Sequence, residues 1–151
     1  MLEERLEQDI KSALLAGDAP RVSTLRQIKS VLLNVKVATG KRQSGLSDDE
    51  VLPILAKEAK KRQESADLYR QGHDEERAQK ELDEKAIIEA YLPQQLSEAE
   101  LVIIIDEVIK SSGASGSQAM GPVIGQVKQR VGATGDGATV ARLVGLDARP
   151  D

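Results

Sequence analysis

Leu46-Ser47-Asp48-Asp49-Glu50-Val51 and Leu96-Ser97-Glu98-Ala99-Glu100-Leu101 share one arrangement: an apolar residue, a Ser, a Glu three positions on, then a second apolar residue. In such a capping box the hydroxyl and the carboxylate satisfy helix-start amides that would otherwise lack partners, while the two apolar residues clamp across the turn. Two helix starts are thereby fixed, and the rest of the chain has to be read around them.

Apolar residues elsewhere recur at helical intervals. Leu2, Leu6, Ile10 and Leu14 repeat every four residues, predicting a first helix that Gly17 ends. Pro20 suits the first turn of a second helix, whose stripe of Val22, Leu25, Ile28, Leu32 and Val35 runs to Thr39 or Gly40 over about 30 Å. The third runs from Ser47 to Gln71 with Gly72 closing it; Pro53 removes a backbone bond early on, so a kink or a late start is expected there. Asp74 opens a fourth, highly charged helix that ends at Leu92-Pro93, because a residue before proline is pushed out of helical geometry.

Past that point the pattern shortens. Leu101 to Ile105 is an unbroken apolar run that a buried strand also shows, but Ser97 and Glu100 make it a helix, apolar nearly all round and therefore central to its domain. Val123, Ile124, Val127 and Val131 mark the next helix, and Val140, Leu143 and Val144 the last, with Ser111 to Ser117 as a flexible connector. The chain reads as all-α, with an N-terminal domain of long amphipathic helices over 1–93 and a small three-helix tail domain over 94–151.

Composition narrows the functions open to such a scaffold. With no Phe, no Trp and only Tyr69 and Tyr91, both cores must be aliphatic, which suits helix packing better than an aromatic-lined pocket for a small-molecule substrate. The lack of Cys removes disulfides, thiolate metal sites and a cysteine nucleophile, and His73, alone in a turn, cannot build a histidine metal centre. No metal, no cofactor and no catalytic set is expected. Neither a signal peptide nor an apolar run of roughly 20 residues is present, so a cytoplasmic protein without a membrane partner is expected.

Charge is patterned more sharply than the net value of −4 suggests. From Arg26 to Arg62 nine bases face four acids; from Gln63 to Glu89 four bases face nine acids. Lys57, Lys60, Lys61 and Arg62 form a basic cluster able to neutralise phosphates, although Glu58 with Arg62 and Lys60 with Glu64 are also spaced as ordinary pairs on a solvated helix face. The acids from Asp74 to Glu89 alternate with Lys80 and Lys85 and read as a solvated face as well.

An ordered set of short motifs carries a resemblance: Ala16-Gly17-Asp18 followed by Ser23-Thr24-Leu25-Arg26, Lys57-Glu58 with Lys61-Arg62-Gln63-Glu64-Ser65, Tyr91-Leu92-Pro93-Gln94-Gln95-Leu96-Ser97, and Gly135-Asp136-Gly137 before Val140. Over practically its whole length the chain resembles the YqeY family, which shares its domain (GatB/YqeY) with the C-terminal tail of the GatB component of aminoacyl-tRNA amidotransferase. The resemblance implies an all-helical protein with a three-helix tail. In the amidotransferase that tail binds tRNA, and a related domain is appended to a glutaminyl-tRNA synthetase. It implies tRNA as partner, with an aminoacyl-tRNA synthetase or an amidotransferase as the enzyme served.

Candidate contact residues follow. Lys128 and Arg130 lie on the side of their helix away from Val123, Val127 and Val131, and Gly135 and Gly137 flank a helix start whose amides welcome an anion, with Arg142 one turn in. Without aromatics to stack on bases, recognition would rest on phosphate, ribose and RNA shape. A Gly turn capped by Asp136 explains the same residues without RNA. Two functions are therefore expected to compete: a non-catalytic tRNA-binding accessory module, and a helical protein–protein adaptor that offers the apolar face of the N-terminal helices.

Overall fold

The computed structural model describes residues 1–113 and 117–147, and the middle of the expected Ser111–Ser117 connector lies outside them, as do the last four positions of the tail. The described residues form seven α-helices and no strand. The chain divides into two compact units, Met1–Leu92 and Pro93–Asp151.

The first unit holds four helices: α1 (Leu2–Ala16), α2 (Ala19–Ala38), α3 (Asp48–Gln71) and α4 (Glu75–Glu89). One joint is used twice. At Gly17-Asp18 the chain leaves α1 through a left-handed residue (φ 69°), Asp18 N–H donates back to the Ala13 carbonyl at 3.0 Å, and the Asp18 carboxylate accepts from Arg21 N–H to start α2. At the α3–α4 joint the left-handed position falls on His73 (φ 61°), not on Gly72, with Asp74 N–H donating to the Tyr69 carbonyl and its carboxylate capping α4. A glycine signal thus stood one residue away from the position that needs it.

Ser47 makes the full capping box, and Leu46 and Val51 both enter the core. Helix α3 starts at Asp48 and runs without interruption through Pro53, so the late start expected there does not occur; Pro53 falls early enough to leave most of the hydrogen-bond ladder intact. Leu6, Ile10, Leu25, Ile28, Leu32, Val51, Leu55 and Ile88 fill the centre. Tyr91 pins the end of α4 onto α1: it is buried, its hydroxyl donates to Asp9, and the Arg5 guanidinium lies 4.6 Å from its ring centroid. Burial first, and the Asp9 carboxylate after it, push the Tyr91 phenol above its ordinary range.

The second unit is three helices: α5 (Glu98–Ser112), α6 (Met120–Val131) and α7 (Gly137–Asp147), with short 3-10 turns at Ser117–Ala119 and Gly132–Thr134. Ser97 and Glu100 again make both capping contacts, which settles the β-branched run as helix. Leu101, Ile105 and Val108 meet Val123, Val127 and Val131 of α6 and Val140, Leu143 and Val144 of α7. Helix α5 packs against both other helices of its unit, but they cover one face of it, and Ile103 within the apolar run is left 59% exposed. The segment before α5 is tied down by Leu96 N–H and Gln95 Nε2, each donating at 2.7 Å to carbonyls of Thr134 and Ala133. These bonds give Gln95 and Leu96 a role that spacing alone did not show.

Candidate nucleic-acid interface

The cations proposed for the tail are carried by α6 and α7, but α5 decides how they are presented. Arg130 reaches across to Glu107 and Arg142 to Glu98, each as a close ion pair with both side chains about half exposed. The two carboxylates are nine residues apart on one helix, about 13 Å along its axis. The two guanidinium groups therefore do not converge on one spot. Lys128 is exposed and pairs with no carboxylate among the described residues; its Nζ lies 3.5 Å from where a Cβ on Gly137 would stand.

The glycine turn is built for packing. Gly135 has extended backbone (φ −123°, ψ 128°), and a Cβ there would come within 2.6 Å of Val131 Cγ2 and 3.3 Å of Leu101 Cδ2, so the absent side chain lets the turn close on the core. The start of α7 already carries an anion: the Asp136 carboxylate accepts from Thr139 N–H at 2.9 Å and from its hydroxyl at 2.8 Å. From Pro93 onward five bases stand against seven acids. A continuous cationic face of Lys128, Arg130 and Arg142 is therefore not what this unit presents.

The basic cluster of α3 is likewise split. Lys57 and Lys60 are exposed without an ion pair among the described residues, and the expected Lys60–Glu64 pair is not formed. Arg62 turns inward. Its guanidinium bonds Glu58 at 2.8 Å, Gln27 of α2 at 3.0 Å and Glu84 of α4 at 3.4 Å, and the Arg62, Glu58 and Glu84 side chains are only 13%, 8% and 15% exposed. The Glu58–Arg62 pair read as surface decoration is thus a tie between three helices, because α4 and α2 close over that side of α3. Beside it, burial and then the charge of Glu84 push the Glu81 carboxyl above the usual carboxylate range. No group of three acidic, His or Cys side chains among the described residues is placed to hold a metal ion.

A second candidate surface lies at the α1–α2 joint. Ala13, Leu14, Ala19 and Val22 line a groove of about 610 Å³ together with Asp18 and Arg26. Leu14 is half exposed and Leu15 is 91% exposed at the same end of α1.

An all-α chain of two separately cored helical units, whose polar side chains serve mainly to cap helices and tie them together, is the class these features define. Within it the chain belongs to the YqeY family: the family profile, described as Yqey-like protein, matches residues 3–146. A comparison with curated proteins found no significant match. No helix among the described residues is long and apolar enough to cross a membrane.

Proposed function

We propose that the chain is a non-catalytic accessory module of tRNA-dependent amidation or aminoacylation, whose second unit touches tRNA through phosphate and ribose groups. One observation carries the reading: among the described residues, Arg130 and Arg142 are held only by exposed ion pairs. Such pairs are worth roughly 0–1 kcal/mol each, so a phosphate can take over either guanidinium at little cost, with Lys128 unpaired among the described residues. The displaced carboxylates still repel that phosphate. The grip is accordingly weak, and its benefit to a partner enzyme is the added effective concentration of linked sites.

The test is tRNA binding over a salt series. A plot of log affinity against log salt should have a shallow slope, on the order of −1 to −3, as for one to three neutralised phosphates. Glu98→Gln combined with Glu107→Gln should raise affinity severalfold and steepen that slope. Absence of binding at low salt, or indifference to the double substitution, removes the tail as a tRNA surface.

A second reading, a helical protein–protein adaptor, is favoured by where large apolar side chains are left in solvent. Among the described residues, Met1, Leu14, Leu15, Leu33, Val37 and Leu68 are exposed in the first unit, against Ile103 in the second. Its test is a direct binding measurement with candidate synthetases and amidotransferases, in which a Leu15→Ser, Leu33→Ser, Leu68→Ser triple variant should lose the partner.

A further inference from the structure

We propose that the closure of α4 over α2 and α3 is proton-linked: uptake of one proton by Glu81 tightens the joint, so that acidification from neutral pH fastens α4 and a return to neutral pH loosens it. The joint is short of donors. Each of the three nitrogens of Arg62 already has an acceptor, Nη1 the Glu58 carboxylate at 2.8 Å, Nη2 the Gln27 side-chain oxygen at 3.0 Å and Nε the Glu84 carboxylate at 3.4 Å. Glu81 lies one helical turn before Glu84 on the same side of α4, and both are half-buried. Among the described residues no hydrogen bond or ion pair holds Glu81.

The cations that helical spacing would offer it are spent elsewhere. Arg77, four residues before, pairs with Asp74 at 3.5 Å, and Lys85, four residues after, binds Glu89 at 3.1 Å and the Gln63 side-chain oxygen at 2.8 Å. Lys80 is the neighbouring residue and is exposed, so solvent screens its attraction. From α3 the charged groups at this joint are Glu58, Lys61 and Arg62, with Lys61 turned to Glu58 at 3.3 Å, and α2 contributes the neutral Gln27. Three carboxylates thus surround one guanidinium. A proton on Glu81 removes one of those charges and supplies a donor that the cluster lacks. Burial first, and then the Glu84 charge, push the Glu81 carboxyl up against the smaller opposing pull of Arg62 and Lys80. A carboxyl raised in the folded chain holds its proton more tightly there than in the unfolded chain. Its stabilisation is complete below the ordinary carboxylate range and is lost as pH rises through the folded value, the reverse of a paired carboxylate, whose support is lost as pH falls.

The experiment follows the full chain by NMR from neutral to mildly acid pH. The side-chain carboxyl carbon of Glu81 should titrate above that of Glu76, an exposed residue of the same helix, and Glu84→Gln should bring it down towards the ordinary range. Amide exchange from Ala78 to Ile88, compared between the natural chain and Glu81→Gln, reads the joint itself. The substitution should slow exchange severalfold at neutral pH, where it removes the unmatched charge, and the gap should close on acidification as the natural chain takes up its proton. Gln matches Glu in helix propensity, so α4 is kept. A Glu81 carboxyl that titrates with Glu76, an inflection indifferent to Glu84→Gln, or faster exchange of Glu81→Gln at neutral pH would overturn the proposal. So would an exchange difference that stays constant across the pH range, since that marks a change of packing in which no proton takes part.

Discussion

Glu58 shows how much a single side chain can depend on what closes over it. Its carboxylate is buried against Arg62, which also binds Gln27 and Glu84, so truncation takes the nearer of two carboxylates from a largely desolvated guanidinium. Glu58→Ala should therefore cost about 2 kcal/mol in urea unfolding, whereas Glu64→Ala, one and a half turns along on the exposed side, should stay within about 0.5 kcal/mol. Gly135 and Gly137 separate in the same way. An alanine at 135 has to push Val131, a stiff β-branched core residue, and should cost about 1–3 kcal/mol, while Gly137→Ala meets only the end of the Lys128 side chain and should be neutral or slightly stabilising. Both are read by chemical denaturation. His73 carries a left-handed conformation that costs a residue with a Cβ about 1 kcal/mol, so His73→Gly should raise stability by about 0.5 kcal/mol after the added freedom of the unfolded chain is deducted.

Helix ends are the most sequence-legible part of this chain because they are local. A Ser with a Glu three residues on, or an Asp after a left-handed residue, completes its hydrogen bonds within one turn of the backbone, and all four such starts in the described helices α2 to α5 form their cap. Pro53 is the exception that local rules overstate. It deletes one hydrogen bond, to the Asp49 carbonyl, in a helix of 24 residues anchored by Val51 and Leu55, and packing carries the helix through. Pro53→Ala should restore that bond and stabilise the first unit by about 1 kcal/mol, measured as a rise in urea midpoint with an unchanged slope.

The two units have cores that share no residue, one centred on Leu25 and Ile28, the other on Ile105 and Val127. Both tyrosines lie in the first unit, so tyrosine emission reports that unit, while far-ultraviolet circular dichroism reports both. Leu25→Ala should lower the tyrosine-detected midpoint by the equivalent of about 2–4 kcal/mol; Ile105→Ala should leave that curve in place and shift only part of the dichroism signal. A tyrosine midpoint that moves equally with Ile105→Ala would show one cooperative unit.

By itself the sequence determined the all-α class, where most helices begin and end and the aliphatic nature of both cores, since capping and apolar spacing act within a turn or two; α4 departs from this, ending at Glu89 short of the expected Leu92-Pro93. Tertiary structure alone decided which charges are spent on the fold. Arg62 and Lys60 are two residues apart and look alike in the chain, yet Glu84 and Gln27, distant in sequence, draw only Arg62 inward. Arg130 and Arg142 look like free phosphate contacts until α5 brings Glu107 and Glu98 against them. Charges choose partners through space, and which carboxylates come within reach is set by how helices pack, not by spacing along any one of them.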